Sequence, residues 1–314
     1  MKGIEKFKSL LMLLVFLAGL LGLSLLLTRL LIRIEYPPPD IPRDTEILIL
    51  GDSHAVYALD PNLIGKTVNF SSAGESYIHN YYKLKWALKR CPSLKTVVLP
   101  VDLHSFSDFR KDRIHFTLNW LRYLDYPELG WIKNKVLDYG VKYLDLLFFG
   151  FKGQYRKFAK AILKPGYKSN PDSEESPGFK PREGFFFHNR DEKARKRAGR
   201  QFNGFNPFCP EMVYFFKRIL NRCANHQLRV ILLRLPISRN YYLQAEKLTD
   251  ITLLEARMLL LAQQFPHATV IDFRKIYFNH ESGLFWDPQH LNRAGARDLS
   301  LRFRDRLVQQ GFIE

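Results

Sequence analysis

Short apolar runs alternate with longer amphipathic stretches over most of the chain. Ile47–Leu50, Thr67–Phe70, Leu94–Val101, Leu228–Leu233 and Ala268–Asp272 are runs of the length and composition of buried strands, each bounded by turn residues or charge. Between and after them, apolar positions recur at helical spacing over Tyr77–Arg90, Glu211–Asn225, Ala245–Gln264 and Asn292–Gln310. Strands alternating with helices in this way predict a parallel sheet covered on both faces, a three-layer α/β/α sandwich. Such sheets take their ligands at the carboxyl ends of the strands. The first run is therefore the one to watch, because Ile47-Leu48-Ile49-Leu50 stops at Gly51-Asp52-Ser53-His54 and presents a serine there.

A different pattern precedes the sheet. Leu10–Leu27 is apolar except for Gly19, Gly22 and Ser24, and Leu30–Ile32 prolong it. A bilayer-spanning helix takes about 20 residues. A cleaved signal peptide has a shorter apolar region closed by a small-x-small site, and none follows here. Lys2, Lys6 and Lys8 precede the run against the single Glu5, whereas Arg33, Glu35, Asp40, Arg43 and Asp44 follow it in mixed sign. The positive-inside rule then gives a cytoplasmic segment over residues 1–9 and a plasma (inner) membrane anchor over 10–32. A stiff linker over 33–44, with Pro37-Pro38-Pro39 and Pro42, leads to an extracytoplasmic or periplasmic domain over 45–314.

The alternation fails from 106 to 206, far too long for a crossover loop. This is an insertion. Its first half, Trp120–Leu163, is aromatic and helical in character; its second, Lys164–Arg200, is rich in Pro, Gly, Ser and charge. Residues 151–200 hold 14 Lys and Arg against six Asp and Glu, which is +8 of the chain's net +17. Basic charge so concentrated suits anionic partners, and a solvated face accounts for it equally well, Lys193–Arg200 included. Nucleic acid is a poor candidate, because no helix-turn-helix, zinc-finger or RNA-binding aromatic signature accompanies the charge. Cys91, Cys209 and Cys223 leave two readings, three buried thiols or one Cys209–Cys223 disulfide. No pair has metal-ligand spacing, and neither a metal nor an organic cofactor is expected.

A serine hydroxyl becomes a nucleophile when a base takes its proton and a third group fixes the base's tautomer. Ser53 at the first strand end finds such partners in Asp287-Pro288-Gln289-His290, just before the closing helix. Serine early, with aspartate and histidine together late, resembles the SGNH/GDSL hydrolase superfamily over Thr45–Ser105 and from Leu228 onward. The resemblance implies Ser53 as nucleophile, His290 as base and Asp287 as its orienting acid. It also implies an oxyanion hole built from the backbone amides of Ser53 and Gly74.

The superfamily's third oxyanion donor, an asparagine after the third strand, is replaced here by Pro100-Val101-Asp102-Leu103-His104-Ser105. That departure is similar to the membrane-anchored SGNH-like proteins of cell-surface polymer O-acylation, which work beside a membrane-bound O-acyltransferase. It implies transfer of an acyl group, O-acetyl above all, from an acyl donor to a surface glycan or anionic polymer. Ordinary carbohydrate or lipid ester hydrolysis and a non-catalytic polymer-binding subunit are the alternatives. Asp52, His54, Asn69, Asp102 and His104 are candidate pocket residues. Each also has a structural reading: Asp52 as a helix cap, His54 and Asn69 as partners of local backbone. Asn292 reads as the cap of the last helix.

Overall fold

The computed structural model describes residues 2–35, 40–110, 178–185, 188–279 and 283–314. Pro37-Pro38-Pro39 and the aromatic half of the insertion, Trp120–Leu163, lie outside the described residues. The chain divides into two compact units, one of 1–39 with 118–173 and one of 40–117 with 174–314. Of the first unit, the described part is helix α1 (Lys2–Glu35). Its stretch Ile4–Ser24 has a mean hydropathy of 2.1 with no share of it buried by protein. At about 1.5 Å per residue those 21 residues reach across a hydrocarbon core of about 30 Å. The most apolar stretch thus begins six residues before the expected Leu10, because Ile4 and Phe7 continue the helix through the lysines.

The second unit carries a five-stranded, all-parallel sheet in the order β2-β1-β3-β4-β5. The strands are β1 (Ile47–Ile49), β2 (Thr67–Asn69), β3 (Thr96–Pro100), β4 (Arg229–Arg234) and β5 (Ala268–Asp272). Ile49 pairs with Asn69 on one side and Val98 on the other, so the first strand lies inside the sheet. Side chains alternate between the faces. Ile47, Ile49, Val98, Ile231, Leu233 and Ile271 join one apolar core, filled from above by α2 (Ser53–Ala58) and α8 (Arg293–Gln309), which pack on each other. On the opposite face, Leu232 and Val270 meet Phe216 of α5 (Pro210–Asn225) and Met258 of α7 (Ile251–Gln263). Helix α3 (Tyr77–Leu88) packs against α5.

Two sequence expectations change, and one open choice is decided. Residues 190–200, read as the end of a stretch rich in Pro, Gly, Ser and charge, belong to helix α4 (Arg190–Phe202), which packs on α6 (Arg239–Glu246). Ala194, Ala198 and Phe202 bury one side of it while the basic residues take the other, so short alanines hid an amphipathic face. The single helix expected over Ala245–Gln264 is two, because the Asp250 carboxylate accepts the Leu253 N–H and starts α7 afresh. All three cysteines are free and buried, and burial pushes the Cys223 thiol up to about 12.

Candidate functional site

The turn after β1 is set by close approach. Gly51 has φ +139, and a Cβ there would meet Pro100 Cγ at 2.7 Å, so only glycine lets β1 turn against the end of β3. Its N–H donates to Asn80 Oδ1 of α3 at 3.2 Å. Asp52 then caps α2, its Oδ1 accepting the His54 N–H at 2.9 Å. Ser53 is the first residue of that helix, so its own N–H has no acceptor within the helix. Asn69 fastens the helix from β2, with Nδ2 donating to Ala55 O at 2.9 Å and Leu59 O at 2.8 Å. Both of its donors thus go to local backbone.

The second half of the site comes from a tight loop closed by an antiparallel bridge between Phe285 and Leu291. Asp287 Oδ1 accepts the N–H groups of Gln289 at 2.8 Å and His290 at 3.0 Å. That leaves Oδ2 for His290 Nδ1, at 2.8 Å. His290 Nε2 lies 2.9 Å from Ser53 Oγ. Residues 237 apart in sequence are thus brought into one chain of hydrogen bonds, Ser53 to His290 to Asp287. Burial lowers the His290 pKa despite the attraction of Asp287, with His54 and Arg197 adding to the fall. Burial acts to raise Asp287, but His290 and Arg197 outweigh it and hold the carboxyl well below the usual range.

Arg197 is a participant that sequence reasoning missed. It extends from α4 and donates from Nη2 to Asp287 Oδ2 at 3.0 Å. On the same helix, Gln201 exchanges side-chain hydrogen bonds with Gln289 at 3.1 and 3.0 Å and accepts from the Tyr241 hydroxyl. Lys193, Arg195, Lys196 and Arg200 of the run read as solvated charge are exposed, while Arg197, with Gln201 just beyond it, splints the histidine loop. A four-residue spacing between Arg197 and Gln201 was the available signal, but it acquires meaning only once the helix is known.

Asp102 and His104, which stand where an oxyanion asparagine is expected, turn inward. Both are buried, Asp102 taking the Leu235 N–H on Oδ1 at 3.0 Å and His104 Nε2 lying 3.1 Å from Asp52 Oδ2. Asp52 is also paired with Arg110, whose Nη1 donates to Glu75 O at 3.3 Å. Burial would raise Asp52, but Arg110, His104 and His54 hold it well below the usual carboxylate range. His54, buried, places Nδ1 3.1 Å from Asp102 Oδ2.

Gly74 lies part-exposed at φ +81 in the turn after β2. Beneath that turn, Lys83 Nζ donates to Phe70 O at 2.7 Å, Ser72 Oγ at 2.9 Å and Glu75 at 2.7 Å, all fully out of solvent. On the outer side of His290 the site is aromatic. The Tyr57 ring stands edge-on to His290 at 5.0 Å and Trp286 lies 6.2 Å away, with the Arg182 guanidinium 4.8 Å from both rings. Trp286 is 36% exposed, so this rim reaches solvent.

The buried histidines give the fold an acid sensitivity. Burial lowers His79, to about 3, and also His104 and His290, so all three keep the neutral form to lower pH in the folded chain than in the unfolded one. The unfolded chain protonates them from about pH 6.5 downward, so stability falls with pH from there toward the folded values. His54 is raised, since Asp102 and Asp52 outweigh its burial, and its contribution is present below about 6.5. Three losses against one gain predict a lower melting temperature at pH 5 than at pH 7.5. A circular-dichroism melt at the two pH values checks it.

No protein-family profile matches the chain, and no curated protein matches it. Four solved chains match in structure. One of them, provisionally described as a platelet activating factor from Streptococcus pneumonia, is 14% identical with a TM-score of 0.42 over 94% of this chain and 98% of that one. A likeness at that level leaves the activity to the site itself.

Proposed function

We propose that this chain is a membrane-anchored serine acyltransferase of the SGNH type, which moves an O-acyl group, O-acetyl above all, to an extracytoplasmic glycan or cell-wall polymer. The observation that carries the reading is the connected set Ser53 Oγ, His290 Nε2, His290 Nδ1 and Asp287 Oδ2, spaced 2.9 and 2.8 Å apart. Such spacing suits a hydroxyl activated by a neutral imidazole whose tautomer a carboxylate holds. Ser53 attacks the acyl carbonyl while His290 takes its proton, and the amides of Ser53 and Gly74 receive the oxyanion. His290 then returns the proton to the leaving group, and an acceptor hydroxyl repeats the sequence in reverse to release the acyl chain. With water as acceptor the same machinery is an esterase.

The helix over Ile4–Ser24, with Lys2, Lys6 and Lys8 about its start, supports an anchor with the amino terminus in the cytoplasm. The exposed Trp286 with Arg182 beside His290 supports a sugar-bearing acceptor, since an aromatic face stacks on a pyranose ring. A membrane-bound O-acyltransferase would supply the acyl group.

Incubating the full chain in detergent micelles with an activated acetyl ester, followed by intact mass, tests the reading. An acetyl adduct is expected on the wild type and not on Ser53→Ala. A folded wild type with neither adduct nor ester turnover overturns it and favours a binding subunit. Trp286→Ala is expected to raise KM for an oligosaccharide acceptor about tenfold, the worth of one stacked ring, while leaving hydrolysis of a small ester within about twofold. Initial rates against acceptor concentration check this.

A further inference from the structure

Below Ser53 lies a set of buried charges that the proton relay does not itself use. Asp52 is 7% exposed, and His54, Asp102, His104 and Arg110 are 4% or less. A buried carboxylate needs a countercharge. Asp52 has its own in Arg110, with His104 as a further donor. Asp102 has no Lys or Arg within ion-pair distance among the described residues; what it faces is His54, at 3.1 Å. The two atoms are off the axis of a hydrogen bond, so the attraction is one of charge more than of a directed bond. Two carboxylates and one guanidinium leave the cluster one positive charge short, and His54 is the group placed to supply it.

His54 also touches the relay. Its ring lies edge-on to His290 with centroids 5.1 Å apart, and 4.6 Å from His104 on its other side. We propose that His54 is a buried imidazolium, neutralised by Asp102, that acts as a positioning charge on His290, holding it in its neutral, proton-accepting form.

The proposal rests on the reading of Ser53, His290 and Asp287 as a proton relay. When Ser53 Oγ bonds to the acyl carbon, its proton passes to His290 Nε2. The new imidazolium then faces a like charge behind it, which favours passing that proton on to the leaving oxygen as its bond to carbon breaks. Other groups face His290 as well: Asp287 on its own loop, Arg197 from α4, Tyr57 from α2, and Trp286 with Arg182 at the rim. Around His54 stand Asp52, Asp102, His104 and Arg110. Asp287 opposes the effect of His54 on His290, and Arg197 reinforces it.

Nitrogen-15 histidine NMR on the full chain in micelles tests the charge directly, with His54→Gln and His290→Gln assigning the two rings. In the wild type at pH 7.5, His54 is expected to be doubly protonated and His290 neutral. In His54→Gln, the midpoint of His290 is expected to move up. The rate of Ser53 labelling by a fluorophosphonate at pH 5.5, relative to its high-pH plateau, is then expected to fall about threefold or more. Asp102→Asn removes the countercharge and is expected to let His54 lose its proton at lower pH than in the wild type.

A neutral His54 at pH 7.5 in the wild type overturns the proposal, whether or not the variants fold. So does an unchanged or lowered His290 midpoint in a folded His54→Gln protein. Failure of Ser53 to label at all counts against the relay, while the spectra still decide the charge on His54.

Discussion

His290→Gln is expected to lower the rate of Ser53 acylation by about 10⁴-fold and to leave the fold intact. The size follows from the position of the ring. It is the proposed base, 2.9 Å from Ser53 Oγ and the side-chain hydrogen-bond partner of that hydroxyl among the described residues. The mild effect on folding follows from its charge state. Burial keeps His290 neutral in the folded chain, so a neutral amide of similar size replaces it without leaving a buried charge. Asp287 retains the Arg197 ion pair and two backbone N–H groups, which also limits the disturbance. Single-turnover acylation by an activated acetyl ester, with a melting curve on the same sample, measures both. A variant within about tenfold of wild type would remove His290 from the role of base, and with it the relay.

Much of that arrangement is legible in the chain, and the part that is not has a physical reason. The strand ends were readable because β1, β3 and β4 are buried on both faces and carry apolar runs, Ile47–Leu50, Val97–Val101 and Val230–Leu233, that stop at Gly51, Asp102 and Arg234. The serine was readable because it sits at such an end, and the histidine loop because it directly precedes the closing helix. Asn292 as a cap was equally local, its side chain accepting the Gly295 N–H at 3.0 Å. What escaped were functions conferred by distant partners. Arg197 looks like one of several basic residues until α4 is laid on the loop at Asp287. Asp102 and His104 occupy the expected position of an oxyanion donor in the sequence, yet turn inward because Asp52, Arg110 and Leu235 N–H offer them partners there. Periodicity reports which face of an element is buried; it does not report which polar group awaits on the other side.

Lys83 is the clearest case, since a lysine in a helix of tyrosines reads as a surface residue and is fully buried. Lys83→Met is expected to destabilise the fold by about 3–5 kcal/mol, the cost of breaking a buried ion pair from one side. For a unit of this size that corresponds to a melting temperature lower by roughly 10 °C. The cost is high because the ammonium serves three acceptors at once, Phe70 O, Ser72 Oγ and Glu75, and a methionine returns none of those bonds. Lys83→Met with Glu75→Gln is expected to regain more than half of the loss, because the carboxylate that lost its ammonium is then neutral. The same three acceptors flank Gly74, so loosening them displaces the amide proposed to receive the oxyanion. Acylation by Lys83→Met, measured below its melting range, is therefore expected to fall about tenfold or more, within the range for a weakened oxyanion donor. A variant as stable as wild type would show that the pair is not a clamp. One that is destabilised yet acylates Ser53 at the full rate would separate the clamp from the chemistry and remove Gly74 from the oxyanion hole.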